Sequence, residues 1–301
     1  MSKQISYILG ILIILLLGSF FYAKSCCIEC QPTQDNQFTP RVEKKTESKN
    51  NRFQLIGKEF NYSCEKNFNF YREEFHTIKP IAKEIDAGIE RLKHYFEKNP
   101  NGRLIITGYA LKDEKNHSAY PNLGFARANN IKNYFTIKGL AANRFEINGK
   151  LIDEWNTKET ILLGPVNYSI TNNQISSKAQ DWKAKKEEIN TNPLILYFNP
   201  NESEIALNEQ ERQRIVDLTE YLDNVPNTNI YCTGYTDITG DKYINIQLGQ
   251  ERADFAKDYL IKNGISPSRI QTLSKGSDEP IADNLTPEGK ARNRRTVITI
   301  H

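Results

Sequence analysis

Residues 231–253 read YCTGYTDITGDKYINIQLGQERA, and the fold follows from how this stretch is parsed. Ile230 and Cys232 alternate with the more polar Tyr231 and Thr233, the period-two pattern of a half-buried β-strand. Gly234 ends the strand, and Thr236-Asp237 follows in a loop at its C-terminal end. Thr239-Gly240-Asp241 is a turn cluster, after which a helix is expected from about Asn245–Leu248 to Asn263-Gly264. Asp237 precedes that helix and Arg252 lies about one turn inside it. A strand–loop–helix that brings together an acid and an arginine has the makings of a zwitterion site. A carboxylate can hold an ammonium, and a planar guanidinium can hold a carboxylate through two parallel hydrogen bonds.

Gly234-Tyr235-Thr236-Asp237, Gly240, Asn245 and Leu248-Gly249-Gln250-Glu251-Arg252-Ala253 form a G-Y-T-D-x-x-G…N…L-G-x-x-R-A pattern. This resembles the OmpA-like peptidoglycan-binding domain, whose usual form is G-H-T-D-x-x-G…N…L-S-x-x-R-A. Gly276, Glu279-Pro280-Ile281-Ala282, Gly289 and Ala291-Arg292-Asn293-Arg294-Arg295 continue the resemblance to the C-terminus, and Tyr197-Phe198-Asn199-Pro200-Asn201 resembles the family's first strand. Tyr235 and Gly249 depart from the usual His and Ser. The resemblance implies non-covalent binding of peptidoglycan through the diaminopimelate of its stem peptide, with no cofactor. Asp237 is implied to take the ammonium and Arg252 the carboxylate, while loop amides, Asn201 and Asn245 orient the ligand; Thr236 and Arg294 complete the candidate set. Apart from the resemblance, an Asp–Arg pair such as Asp237 and Arg252 reads first as a structural ion pair.

The order of elements recurs upstream. Ile81, Ile85, Ile89, Leu92 and Phe96 make an apolar helical stripe that stops at Asn99-Pro100-Asn101-Gly102, and the strand Leu104–Ile106 and Gly108-Tyr109 follow. In the second half, Asn208 with Glu211 gives a capping signal, Ile215, Leu218 and Leu222 form the stripe, and Ile230–Gly234 the strand. Adding 125 takes Leu123-Gly124 to Leu248-Gly249, Arg127-Ala128 to Arg252-Ala253, Gly139 to Gly264 and Arg144 to Arg269, with one residue of slip at Gly108 and Gly234. The expected architecture is therefore α+β: two tandem OmpA-like β-α-β-α-β domains, helices packed on a mixed sheet, with a further short helix in the second starting at Thr286-Pro287. The first copy is diverged. Leu111 stands in place of Asp237, and no N-R-R accompanies its last strand, placed near Val166–Thr171. It is expected not to bind the wall by this chemistry, with Arg127 bonded instead to a backbone carbonyl or to Glu114, although Asp113 or Glu114 is close enough in sequence to rebuild the acidic half of the site.

The expected division is an N-terminal transmembrane anchor or signal segment over residues 1–25, a flexible tether over 26–51, the diverged domain over 52–173, a charged connector over 174–192 and the peptidoglycan-binding domain over 193–301. Ile5–Ala23 carries no charge and at ~1.5 Å per residue spans about 28 Å, close to the hydrocarbon core of a bilayer. Ala23-Lys24-Ser25 also has the small-x-small form of a cleavage site. An uncleaved anchor accounts better for the length of the apolar run, since signal peptides usually carry a shorter one. Either way the remainder is exported, which places the chain in a bacterial envelope with its globular part in the periplasm.

The 40 basic and 37 acidic residues nearly balance, and no basic stripe with interleaved aromatics argues for nucleic acid. Cys26, Cys27 and Cys30 lack accompanying ligands at metal-binding spacing, and Cys232 reads as a small buried apolar side chain. His76, His94, His117 and His301 show no H-E-x-x-H spacing, and neither a nucleophile elbow nor a phosphate loop is present, so an enzyme is not expected. The alternative to wall binding is an envelope adaptor whose first domain holds a protein partner. If the anchor reading is right, the chain stays in the membrane pellet after carbonate extraction with its N-terminus intact; a soluble product beginning at Cys26 would refute it.

Overall fold

The computed structural model describes residues 52–172 and 181–301; the expected anchor, the tether and the Cys26, Cys27, Cys30 cluster lie outside them. Among the described residues no helix is long and apolar enough to cross a membrane. The described residues form one compact unit of mixed α+β structure.

In the second half the strand β9 (Leu194–Tyr197) buries Leu194 and Leu196 on one face. Helix α4 (Glu209–Asn224) starts at a complete capping box: the Asn208 side chain accepts from the Glu211 amide, and the Glu211 carboxylate accepts from the Asn208 amide. Strand β10 (Ile230–Tyr235), helix α5 (Lys242–Lys262), strand β11 (Ile270–Gly276), the short helix α6 (Pro287–Asn293) and strand β12 (Arg295–Ile300) complete it. The sheet runs β11-β10-β12-β9, with β10 parallel to β11 and antiparallel to β12. Helix α5 begins earlier than its apolar spacing suggests. Asp241 is its cap and accepts from the amides of Tyr243 and Ile244, so Asn245 lies inside the first turn of the helix.

The first half carries helix α1 (Lys83–Lys98), strand β4 (Arg103–Leu111), helix α2 (Leu123–Ile137), strand β5 (Phe145–Ile152) and strand β8 (Val166–Thr171). Here too the central strand β4 is flanked by a parallel partner, β5, and an antiparallel one, β8. The simple β-α-β-α-β order expected for this half is incomplete. A hairpin of β1 (Phe53–Ile56) and β2 (Asn61–Cys64) precedes α1, and β3 (Phe70–Tyr71), β6 (Thr157–Lys158) and β7 (Ile161–Leu162) form a small sheet of their own. These strands have two to four residues, too short for a periodic signal.

Each half has its own hydrophobic core. Phe53, Phe68, Phe70 and Phe135 join Ile85, Ile89 and Leu92 in the first, while Leu196, Ile215, Leu218, Leu260 and Ile298 are central to the second. The connector contains helix α3 (Trp182–Thr191), whose Trp182 ring meets Tyr221 edge-on at 5.9 Å. The halves also touch directly. The Ala119 amide donates to the Asn263 side chain at 2.7 Å, Asn129 and Asn133 donate to the carbonyls of Asn263 and Gly264, and Lys132 pairs with Asp223.

The helices reach the central strands through glycine pairs. A Cβ placed on Gly234 would sit 1.8 Å from the Gly249 carbonyl oxygen, and one on Gly108 would sit 2.1 Å from that of Gly124. The obstacle is backbone, which cannot rotate away as a side chain can. Gly234→Ala should therefore destabilise the chain by at least the ~1–3 kcal/mol typical of overpacking. Thermal unfolding should show a midpoint lowered by several degrees; an unchanged midpoint would mean that α5 is not held this close.

Candidate functional site

A cleft of about 440 Å³ opens where the C-terminal end of β10 meets the start of α5 and the loop around α6. Its lining includes Asn201, Thr236, Asp237, Asn245, Arg252 and Arg294, so the six residues singled out by motif converge on one cavity. Pro200, Thr239, Leu248, Leu285, Pro287 and Lys290 complete the wall. Leu285, Pro287 and Lys290 were not among the candidates: they lie at and just before the start of α6, whose expected position in the chain does not say that it borders the cleft.

Arg252 is fully buried. Its Nε donates to the Glu202 carbonyl at 2.9 Å, Nη1 to the Tyr235 carbonyl at 3.0 Å and Nη2 to the Asn199 carbonyl at 3.1 Å, and the guanidinium lies 5.1 Å from the centre of the Phe198 ring. A guanidinium has five N–H groups, so these bonds leave two of them unused. Burial, together with the charge of Arg294, pushes the Arg252 guanidinium down to about 10. It remains a cation at neutral pH.

Asp237 is also buried, and its ion pair is with Arg294 rather than Arg252. Arg294 Nη1 donates to Oδ2 at 2.9 Å, and the Thr239 amide donates to Oδ1 at 2.8 Å. A structural bridge between Asp237 and Arg252 is thus not what the chain forms. Burial opposes the charge on Asp237, but the Arg294 and Thr239 hydrogen bonds outweigh it and hold the carboxyl below the usual carboxylate range. Arg294 is fixed in turn by its Nε, which donates to the Phe198 carbonyl at 3.0 Å. Arg295, by contrast, turns away and lies 3.8 Å over the Tyr235 ring.

The polar residues have separate supports. Asn245 donates to the Thr239 carbonyl at 3.1 Å, bracing the loop after Asp237. Thr236 donates through its amide to the Gly276 carbonyl and through its hydroxyl to the Asp237 carbonyl. Asn201 has a φ of 59°, a left-handed conformation that turns the backbone between Pro200 and Glu202 at the cleft wall. Asn293, buried under the loop, accepts from the Ile281 and Ala282 amides and donates to Asn284, whose side chain accepts from the Ile238 amide. One acid, two arginines and a lysine therefore face a single cavity. Such a set suits a ligand that carries both a carboxylate and an ammonium.

Residues 197–294 match the OmpA family and form an OmpA family domain. Over 107 residues the chain is 38% identical to the peptidoglycan-binding protein ArfA of Mycobacterium tuberculosis, covering 36% of this chain and 32% of that protein. It is 47% identical over 79 residues to the probable lipoprotein YiaD of Escherichia coli K12, covering 26% of this chain and 36% of that one. The chain thus spans about a third of the length of these relatives. Among solved structures, the peptidoglycan-associated lipoprotein of Burkholderia pseudomallei aligns at 25% identity with a TM-score of 0.33, over 36% of this chain and 89% of that one.

The depressed Asp237 carboxyl has a consequence for stability. Because its folded-state pKa lies below its unfolded value of about 3.9, the stabilisation is complete above that value and is lost as the pH falls through the folded one. Asp237→Asn should be less stable than the natural chain at pH 7, and the difference should shrink on acidification below about pH 4. Urea unfolding across that range checks it; a pH-independent difference would mean the ion pair with Arg294 contributes nothing.

Proposed function

We propose that the OmpA family domain at residues 197–294 holds peptidoglycan non-covalently by the diaminopimelate of its stem peptide. The carrying observation is the convergence of Asp237 and Arg252 on one cleft, with two guanidinium N–H groups left over for a carboxylate. The ligand's carboxylate goes to Arg252 and its ammonium to Asp237. ArfA, a relative over this part of the chain, is named for peptidoglycan binding. With the apolar segment Ile5–Ala23 acting as an anchor, the chain ties a membrane to the wall from the periplasmic side. In this reading the cleft binds rather than catalyses, with Asp237 held by Arg294 and Thr239 as a fixed carboxylate for the ligand's ammonium.

We read residues 52–172 as a diverged copy of the same domain. The parallel–antiparallel flanking of β4 repeats that of β10. Arg127 donates to the carbonyls of Tyr109 and Glu74 as Arg252 does to those of Tyr235 and Glu202. Arg144 gathers the carbonyls of Asn99 and Gly102 as Arg269 gathers those of Val225 and Thr228. The copy lacks the acid for an ammonium, since Leu111 stands where Asp237 does. An amine placed there would lose water without gaining a partner.

Asp237→Ala should weaken sedimentation with purified sacculi by more than tenfold, within the ~2–5 kcal/mol typical of truncating one partner of a desolvated charge pair, while the chain stays folded. Arg252→Ala is a different case. It would leave the carbonyls of Asn199, Glu202 and Tyr235 without their donor, at about 1–3 kcal/mol each where buried, so it should lower the unfolding midpoint sharply as well as abolish binding. Undiminished sacculus binding by folded Asp237→Ala would overturn the proposal.

A further inference from the structure

Arg127 in the first half is as fully buried as Arg252, but it has a carboxylate on it. Arg127 Nη2 donates to Glu114 Oε1 at 2.5 Å and Nη1 to Oε2 at 3.0 Å, and both side chains are buried. Each carboxylate oxygen takes one further hydrogen bond from the backbone. The Glu73 amide donates to Oε1 at 2.9 Å and the Leu111 amide to Oε2 at 2.6 Å. Four donors thus enclose one carboxylate in a bidentate, fully satisfied geometry.

The same donor frame recurs at the cleft of the second half. Leu111, at the end of β4, and Asp237, just after β10, take equivalent places, and Glu73 and Asn201 each lie one position before the residue whose carbonyl holds the arginine Nε, Glu74 and Glu202. The backbone is left-handed at both, with φ of 63° at Glu73 and 59° at Asn201. Such a conformation is uncommon outside glycine. Its presence at both points says that the two arginine sites are built on one backbone template.

We propose that residues 52–172 contain a carboxylate-binding site that the chain fills itself, with Glu114 as its resident ligand. Where the second half leaves its arginine facing a cleft, the first half closes the equivalent position from within. The loop after β4 carries Glu114 back onto Arg127, and the chain offers one open carboxylate site instead of two. Burial opposes the charge on Glu114, but Arg127 and the two amides hold its carboxyl below the usual carboxylate range, which agrees with a carboxylate permanently in place. The inference rests on the reading of the first half as a diverged copy. Its test uses no wall material, so its failure is separable from failure of peptidoglycan binding.

Truncating Glu114 should convert the filled site into an empty one that accepts a small carboxylate. The full chain carrying Glu114→Ala is unfolded thermally at pH 7 in sodium acetate and in sodium chloride of equal ionic strength. Acetate should raise the variant's midpoint saturably, by about 3–6 °C at ten times its dissociation constant, and chloride should not. The natural chain keeps the open site at Arg252, so its own acetate response is the baseline, and the rise in Glu114→Ala should exceed it. Arg127→Met combined with Glu114→Ala should return the response to that baseline. If Glu114→Ala does not fold in chloride, recovery of folded chain in acetate becomes the readout. A variant whose acetate-specific rise is no greater than the natural chain's, or that is not recovered in acetate, overturns the proposal.

Discussion

A guanidinium with no access to solvent is the constraint on which the second half is built. Removing a cation from water is expensive, and Arg252 sits there because three backbone carbonyls converge on it. Two of these carbonyls, Asn199 and Glu202, belong to the segment after β9, and the third, Tyr235, ends β10. The arginine itself projects from α5. One side chain therefore fixes a loop, a strand end and a helix relative to one another before any ligand arrives. The close approach of α5 at Gly234 and Gly249 is what brings the arginine within reach of the strand. The cleft is consequently preformed, and little ordering cost is left for binding.

Much of this was legible in the amino-acid sequence, for identifiable reasons. The Asn208–Glu211 capping box and the alternation at Ile230–Thr233 are short-range signals that tertiary structure did not override. The start of α5 was misplaced because Asp241 could be read as part of a turn or as a cap, and only its bonds to Tyr243 and Ile244 decide. The partner of Asp237 was equally ambiguous. Arg252 and Arg294 both suit an aspartate, and the choice depends on Arg294 being anchored at the Phe198 carbonyl on a neighbouring strand end. No spacing along the chain encodes that. The loop over the cleft is held by Asn293 through three other residues, an arrangement that composition alone does not reveal.

The two halves show how one backbone frame can be used in opposite ways. In both, a buried arginine takes up carbonyls from the preceding segment and from the end of the central strand. The difference lies in what meets its remaining donors. In the first half the loop between β4 and α2 supplies Glu114, and the site becomes part of the core. In the second half the helix begins well before the arginine, and the acid ahead of it, Asp241, caps it rather than filling the cleft. Helix α2 starts only four residues before Arg127, leaving the chain ahead of it free to fold inward.

The ion pair between Asp237 and Arg294 does not exclude an ammonium at the same carboxylate. An ionised carboxylate has about four lone-pair positions, and Arg294 and Thr239, the latter through its amide and its side chain, do not use them all. Arg294 also offsets the charge of Asp237, so with Arg252 and Lys290 the cleft lining is cationic overall. A lone ammonium would enter an unfavourable field, whereas a group carrying a carboxylate as well would satisfy Arg252 as its amine reaches Asp237. In the proposed reading the charge balance favours a zwitterion over a simple amine, by repulsion of the wrong ligand as much as by attraction of the right one.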